Sequence, residues 1–125
     1  MTEPDTPAIV LVVEDEALIR VATVMGLEDA GFTVLDCENA DAAIAILEKR
    51  TDIKAVFTDV DMPGRMDGLK LARYIADRWP PIALVVASGM VKVLPEDLPA
   101  GGKFIPKPYR MEQVTEAIGA LTGRA

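Results

Sequence analysis

Glu14-Asp15, Asp59, Ser88-Gly89 and Lys107-Pro108 each stand directly behind a short apolar run, and together they offer three carboxylates, a hydroxyl and an ammonium group. Carboxylates gathered in one place repel and raise one another's pKa unless a cation sits among them, and hard oxygen ligands of this kind suit Mg2+. A metal held by Glu14, Asp15 and Asp59 can also take a phosphoryl oxygen, offsetting charge as phosphate nears a carboxylate nucleophile. In this chemistry Asp59 becomes an acyl phosphate. Lys107 pairs with Asp59 beforehand and with a phosphoryl oxygen afterwards, and Ser88 donates a hydrogen bond to another oxygen. Gly89 has no side chain and leaves space for a donor or for water.

These residues can meet only if the runs before them are neighbouring strands. Ile9 to Val13, Thr33 to Cys37, Ala55 to Thr58 and Ile82 to Ala87 are short, apolar and rich in β-branched residues, and each reads as a buried strand. A fifth, weaker run, Lys103 to Ile105, follows the Gly101-Gly102 turn. Amphipathic segments alternate with them. One carries Leu18, Val21, Ala22 and Met25 and stops at Gly31; the next carries Ala42, Ala43, Ile46 and Leu47, with Asn39 or Asp41 as N-cap. A third carries Leu69, Leu71, Ala72, Ile75 and Ala76 and halts before Pro80-Pro81; the last carries Met111, Val114, Ala117, Ile118 and Leu121. Between Ser88 and Lys103, Pro95 and Pro99 bracket only three residues, so the fourth crossover is expected to hold a short or irregular helix. Strands that are apolar throughout are buried on both faces, so this alternation predicts a parallel sheet with helices on both sides, a doubly wound α/β domain. Ligands bind such sheets beyond the carboxyl ends of the strands, where the polar groups fall.

The 125 residues amount to one domain, and half of them are hydrophobic, enough for a core. Residues 1–7 read as a flexible tail, 8–121 as the domain and 122–125 as a C-terminal tail. Twenty acidic residues against 13 basic give a net charge of −7, which disfavours a nucleic-acid or anionic-membrane surface. The lone Cys37 makes no internal disulfide and reads as core filling, and no apolar stretch spans a bilayer, so a cytoplasmic protein is expected. The chain has no histidine, so any phosphohistidine belongs to a partner.

Val12-Val13-Glu14-Asp15-Glu16, then Thr58-Asp59-Val60-Asp61-Met62-Pro63 followed by Asp67-Gly68, then Ala87-Ser88-Gly89 and Lys107-Pro108-Tyr109, resemble in order and spacing the receiver domains of two-component response regulators. The resemblance runs roughly from Ala8 to Leu121. It implies a flavodoxin-like (CheY-like) (βα)5 sandwich with a five-stranded parallel sheet in the order 2-1-3-4-5. It also implies phosphoryl transfer to Asp59, with Mg2+, from a sensor histidine kinase or histidine phosphotransfer protein, and a domain that catalyses its own phosphorylation and dephosphorylation. Residue by residue, Glu14 and Asp15 match the acidic pair, Asp59 the acceptor, Ser88 the hydroxyl switch and Lys107 the family's lysine. The backbone carbonyl of Asp61 matches a metal ligand, and Phe104 falls at the aromatic switch position. With no output domain in view, the expected signal leaves by contact with a downstream protein, or the chain serves as a phosphate sink or shuttle; a monomer or weak dimer is expected. Three features depart from the common pattern. The loop from Met62 to Gly68 is one residue longer and brings Arg65 over the site, the fourth crossover is short, and Asp61 adds a carboxylate two positions after the acceptor.

Simpler readings exist for each piece. Glu14-Asp15 can be a strand end and helix cap, Asp59 a turn residue before Pro63-Gly64, Ser88 a turn hydroxyl, Lys107 a surface lysine and Phe104 a core aromatic. Asp59-Val60-Asp61 also resembles the nucleophile motif of haloacid-dehalogenase-like phosphohydrolases, but that motif follows a first strand and needs a longer core. A dinucleotide or P-loop site fails for want of its glycine pattern. A phosphate-independent adaptor would lack the acceptor or the lysine, and both are present.

Overall fold

Runs of four to seven largely apolar residues form the strands, and the segments with helical spacing between them form the crossovers. The computed structural model describes residues 8–61, 68–89, 93–99 and 101–123. In chain order, β1 (Ile9–Val13), α1 (Ala17–Asp29), β2 (Thr33–Cys37), α2 (Ala40–Lys49) and β3 (Ile53–Asp59) are followed by α3 (Gly68–Arg78), β4 (Ala83–Ser88), β5 (Lys103–Pro106) and α4 (Met111–Thr122). All strand pairs are parallel, in the order β2-β1-β3-β4-β5. Among its described residues the fourth crossover carries one 3-10 turn, Pro95–Asp97, in keeping with the short or irregular helix expected between Pro95 and Pro99. The expected N-terminal tail, the end of the C-terminal tail and the loop that carries Arg65 lie outside the described residues.

Helix ends follow their local chemistry. Asn39 caps α2, its Oδ1 accepting the Ala42 N–H at 2.8 Å, which settles the choice between Asn39 and Asp41. At the end of α1, Gly31 takes a left-handed φ of 99°, Gly31 N–H donates to Glu28 O, and Phe32 N–H donates to Leu27 O. That pair of bonds closes the helix and turns the chain into β2, and a residue with a Cβ would be strained there.

Side chains alternate along each strand, which splits the core in two. Leu11, Val13, Val56, Leu84 and Val86 face one side, against Ala43 and Leu47 of α2 and Leu71, Ala72 and Ile75 of α3. Val10, Val12, Ala55, Phe57, Val85, Ala87 and Ile105 face the other, against Leu27 of α1 and Val114 and Ile118 of α4. Carried to the strand tips, the same parity assigns Glu14, Asp59 and Lys107 to the α1/α4 side and Ser88 to the α2/α3 side. Cys37 is half-buried against the α2/α3 cluster, where burial pushes its thiol up to about 11, in keeping with a packing role. Trp79 is likewise half-buried at the end of α3, with the Arg78 guanidinium over its ring.

Candidate functional site

At the carboxyl edge of the sheet, β3 delivers a buried Asp59 between the tips of β1 and β4. Both of its carboxylate oxygens are engaged. Lys107 Nζ donates to Oδ2 at 2.9 Å from just beyond β5, and the Asp61 N–H donates to Oδ1 at 3.0 Å. Lys107 is itself positioned by its backbone N–H, which donates to Ser88 O at 3.0 Å and extends the β4–β5 ladder past the last paired residues. The Lys107–Pro108 peptide is cis.

Glu14 is buried at the tip of β1, and its Oε2 accepts the Glu16 N–H at 3.0 Å. Burial lifts its carboxyl from the ordinary 4.5 to about 7; the negative charge of Asp59 adds to this, while the Glu16 N–H and Lys107 oppose it. Asp15 is more open to solvent, and one carboxylate oxygen from each of Glu14, Asp15 and Asp59 lies within 4.8 Å of the others. Burial works against the charge of Lys107, but the hydrogen bond to Asp59 and the charges of Asp59, Glu14 and Asp61 outweigh it and raise its pKa. Among the described residues, one ammonium stands against four carboxylates, which leaves this part of the pocket negative. Three converging hard oxygen donors in that field fit Mg2+.

Two arrangements here are not evident from residue spacing. Arg20 of α1 reaches back to the sheet, donating from Nη1 to Glu14 O at 2.8 Å and from Nε to Asp36 Oδ2 at 3.1 Å, so it ties the acidic tip of β1 to β2. The Asp61 carboxylate folds over the ends of β4 and β5, accepting from Ser88 Oγ at 2.8 Å and from Gly89 N–H at 3.1 Å. The expected space at Gly89 is narrow, since a Cβ there would stand 3.0 Å from Lys107 Cβ. Gly68, the first residue of α3, is tighter still: a Cβ would come within 2.3 Å of Asp59 O. Only glycine lets α3 start against the backbone of Asp59. Phe104 lies half-buried on β5, paired in register with Val86, and lines an open pocket with Val93, Leu98 and Pro99.

A five-stranded parallel sheet in this order, with an aspartate, an acidic pair and a lysine at its carboxyl edge, is the architecture of a receiver. The chain belongs to the response regulator receiver domain family, whose model matches residues 10–119, and is a receiver of the two-component type. It is similar to the sensor kinase CckA of Brucella abortus, at 33% identity over 121 residues covering 94% of this chain and 13% of that protein. It is also similar to the response regulator receiver protein CpdR of the same organism, at 29% identity, covering 87% of this chain and 92% of CpdR. The chain spans 24–52% of the length of several transcriptional regulators that it also matches. Among solved structures, a response regulator receiver protein from Sinorhizobium medicae superposes with a TM-score of 0.87 at 25% identity, covering 94% of this chain and 95% of that one. Phosphorylation on aspartate and Mg2+ binding at an acidic pocket are general properties of this family. Among the described residues, no helix is long and apolar enough to cross a membrane.

Proposed function

We propose that Asp59 accepts a phosphoryl group from a phosphohistidine of a sensor histidine kinase or histidine phosphotransfer protein. The observation that carries this reading is the pairing of buried Asp59 with Lys107 at 2.9 Å, beside carboxylates of Glu14 and Asp15 close enough to share one cation. Asp59 attacks phosphorus, an O–P bond forms as the N–P bond breaks, and the imidazole departs with the electron pair. Mg2+, held by Glu14, Asp15, Asp59 and the Asp61 carbonyl, would supply positive charge opposite the transferred oxygens. Lys107 orients Asp59 before transfer and pairs with a phosphoryl oxygen after it. Ser88 then turns its hydroxyl to the phosphoryl group.

Phe104 is the proposed relay. It stands on the strand next to Ser88, half-buried beside an open pocket, so a small shift of β4 changes the room available to its ring. The altered β4–β5 surface is what a downstream protein reads, or the domain acts as a phosphate sink or shuttle. The match to nearly the whole of CpdR supports a single-domain regulator.

The test is incubation of the protein with Mg2+ and acetyl phosphate, followed by intact-mass measurement. One base-labile phosphate adduct, dependent on Mg2+ and missing from Asp59→Asn, is expected. Equal labelling of Asp59→Asn would move the acceptor elsewhere.

A further inference from the structure

Asp61 contributes a carboxylate that the acceptor chemistry does not use. Beyond β3 the chain turns so that the Asp61 N–H donates to Asp59 Oδ1, and this carries the Asp61 side chain across the tips of β4 and β5. There Ser88 Oγ donates to Oδ1 at 2.8 Å, Gly89 N–H donates to Oδ2 at 3.1 Å, and Lys107 Nζ stands 3.9 Å from the same Oδ2. A hydroxyl, a backbone amide and an ammonium converging on one anion make a donor set suited to a tetrahedral oxyanion. The set adjoins the acceptor, because Lys107 also donates to Asp59 and Val60 N–H donates to Ala87 O at 2.9 Å.

We propose that the Asp61 carboxylate occupies the phosphoryl-oxygen subsite of the resting domain and must leave it before Asp59 can be loaded. This rests on the reading of Asp59 as acceptor. Two anions cannot share the same donors, so loading exchanges the Ser88 and Gly89 hydrogen bonds to Asp61 for bonds to the incoming group. Asp61 acts on the reaction through those donors and is a competing residue, not a catalytic one. The competition raises the threshold for acceptance, and it acts most strongly against donors that bring no protein contacts of their own to offset the displacement.

The probe is beryllofluoride with Mg2+, which bonds to a carboxylate oxygen and copies a tetrahedral phosphoryl group. Binding is followed by fluorine NMR at high salt, where long-range charge effects are screened. Asp61→Ala is expected to bind about tenfold more tightly than wild type, equivalent to about 1.4 kcal/mol. Its Gly89 amide should exchange faster than that of wild type without ligand and become protected on binding, which removal of a distant charge would not produce. Asp61→Asn, with one acceptor oxygen in place of two, should fall between them. Equal or weaker binding by Asp61→Ala, with an adduct still formed, overturns the competition and leaves the acceptor reading in place. No adduct on any of the proteins overturns the acceptor reading and this inference with it.

Discussion

Replacing Glu14 with Gln removes one ionisable group from the pocket at nearly constant size, and it should change how metal-free stability depends on pH. Glu14 is 5% exposed, and its carboxyl titrates at about 7 instead of 4.5, first through burial and then through repulsion from Asp59. Between those values the folded chain keeps a proton that the unfolded chain has released, so stability falls as pH rises through the window. Below 4.5 both states are protonated and nothing is lost; above about 7 the loss is complete. A shift of that size corresponds to about 3 kcal/mol. Water relaxing around the charge at the pocket mouth reduces this to about 2 kcal/mol. The assay is urea unfolding of wild type and Glu14→Gln in the presence of a chelator, at about pH 4 and about pH 8. Wild type should lose about 2 kcal/mol relative to the variant across that interval, and Mg2+ at the higher pH should restore it by favouring the ionised form. A stability difference that stays constant with pH would refute the burial argument for Glu14.

Two further perturbations address the frame around the acceptor. Lys107→Ala leaves Asp59 Oδ2 without its ammonium partner, so metal-free stability should drop by about 1–3 kcal/mol. Mg2+ should still bind, while the chemical-shift change at Phe104 on phosphorylation should vanish; an intact Phe104 response would remove Lys107 from the relay. In Gly68→Ala the new Cβ meets the Asp59 carbonyl, which is backbone and cannot step aside. A loss of about 1–3 kcal/mol in urea unfolding is expected, with slower labelling of Asp59, and unchanged values for both would mean that α3 can start elsewhere.

The strands were legible where apolar runs end abruptly. β1 and β2 match their expected spans because Glu14 and Glu38 break the runs, while β3 begins earlier than Ala55, at Ile53, because exposed Lys54 interrupts the apolar pattern without leaving the ladder. β4 is displaced by one residue, with Ile82 N–H still bonded to Trp79 O in the turn that follows α3. The meeting of Glu14, Asp15, Asp59 and Lys107 could be anticipated because strand order and strand ends together decide it. The Arg20 bracket and the seating of Asp61 could not, since both depend on where flexible side chains settle after the backbone turns. The resemblance to receivers marked Asp61 as an extra carboxylate two positions after the acceptor, without saying which donors would hold it.

The division of strand side chains between two faces also governs how this chain can vary in length. Inserting or deleting one residue inside β1, β3 or β5 would turn Glu14, Asp59 or Lys107 away from the others and, in the same stroke, turn core residues toward the wrong layer. Defects of that kind remove the folded protein along with its chemistry. A substitution at a strand tip, such as Asp59→Asn, keeps the side chain's size and the core packing, and under the proposed function it leaves a folded copy that engages a partner while passing nothing on. Silent competitors for a shared partner should therefore arise by substitution at the tips, and length changes should collect in the connections that follow them.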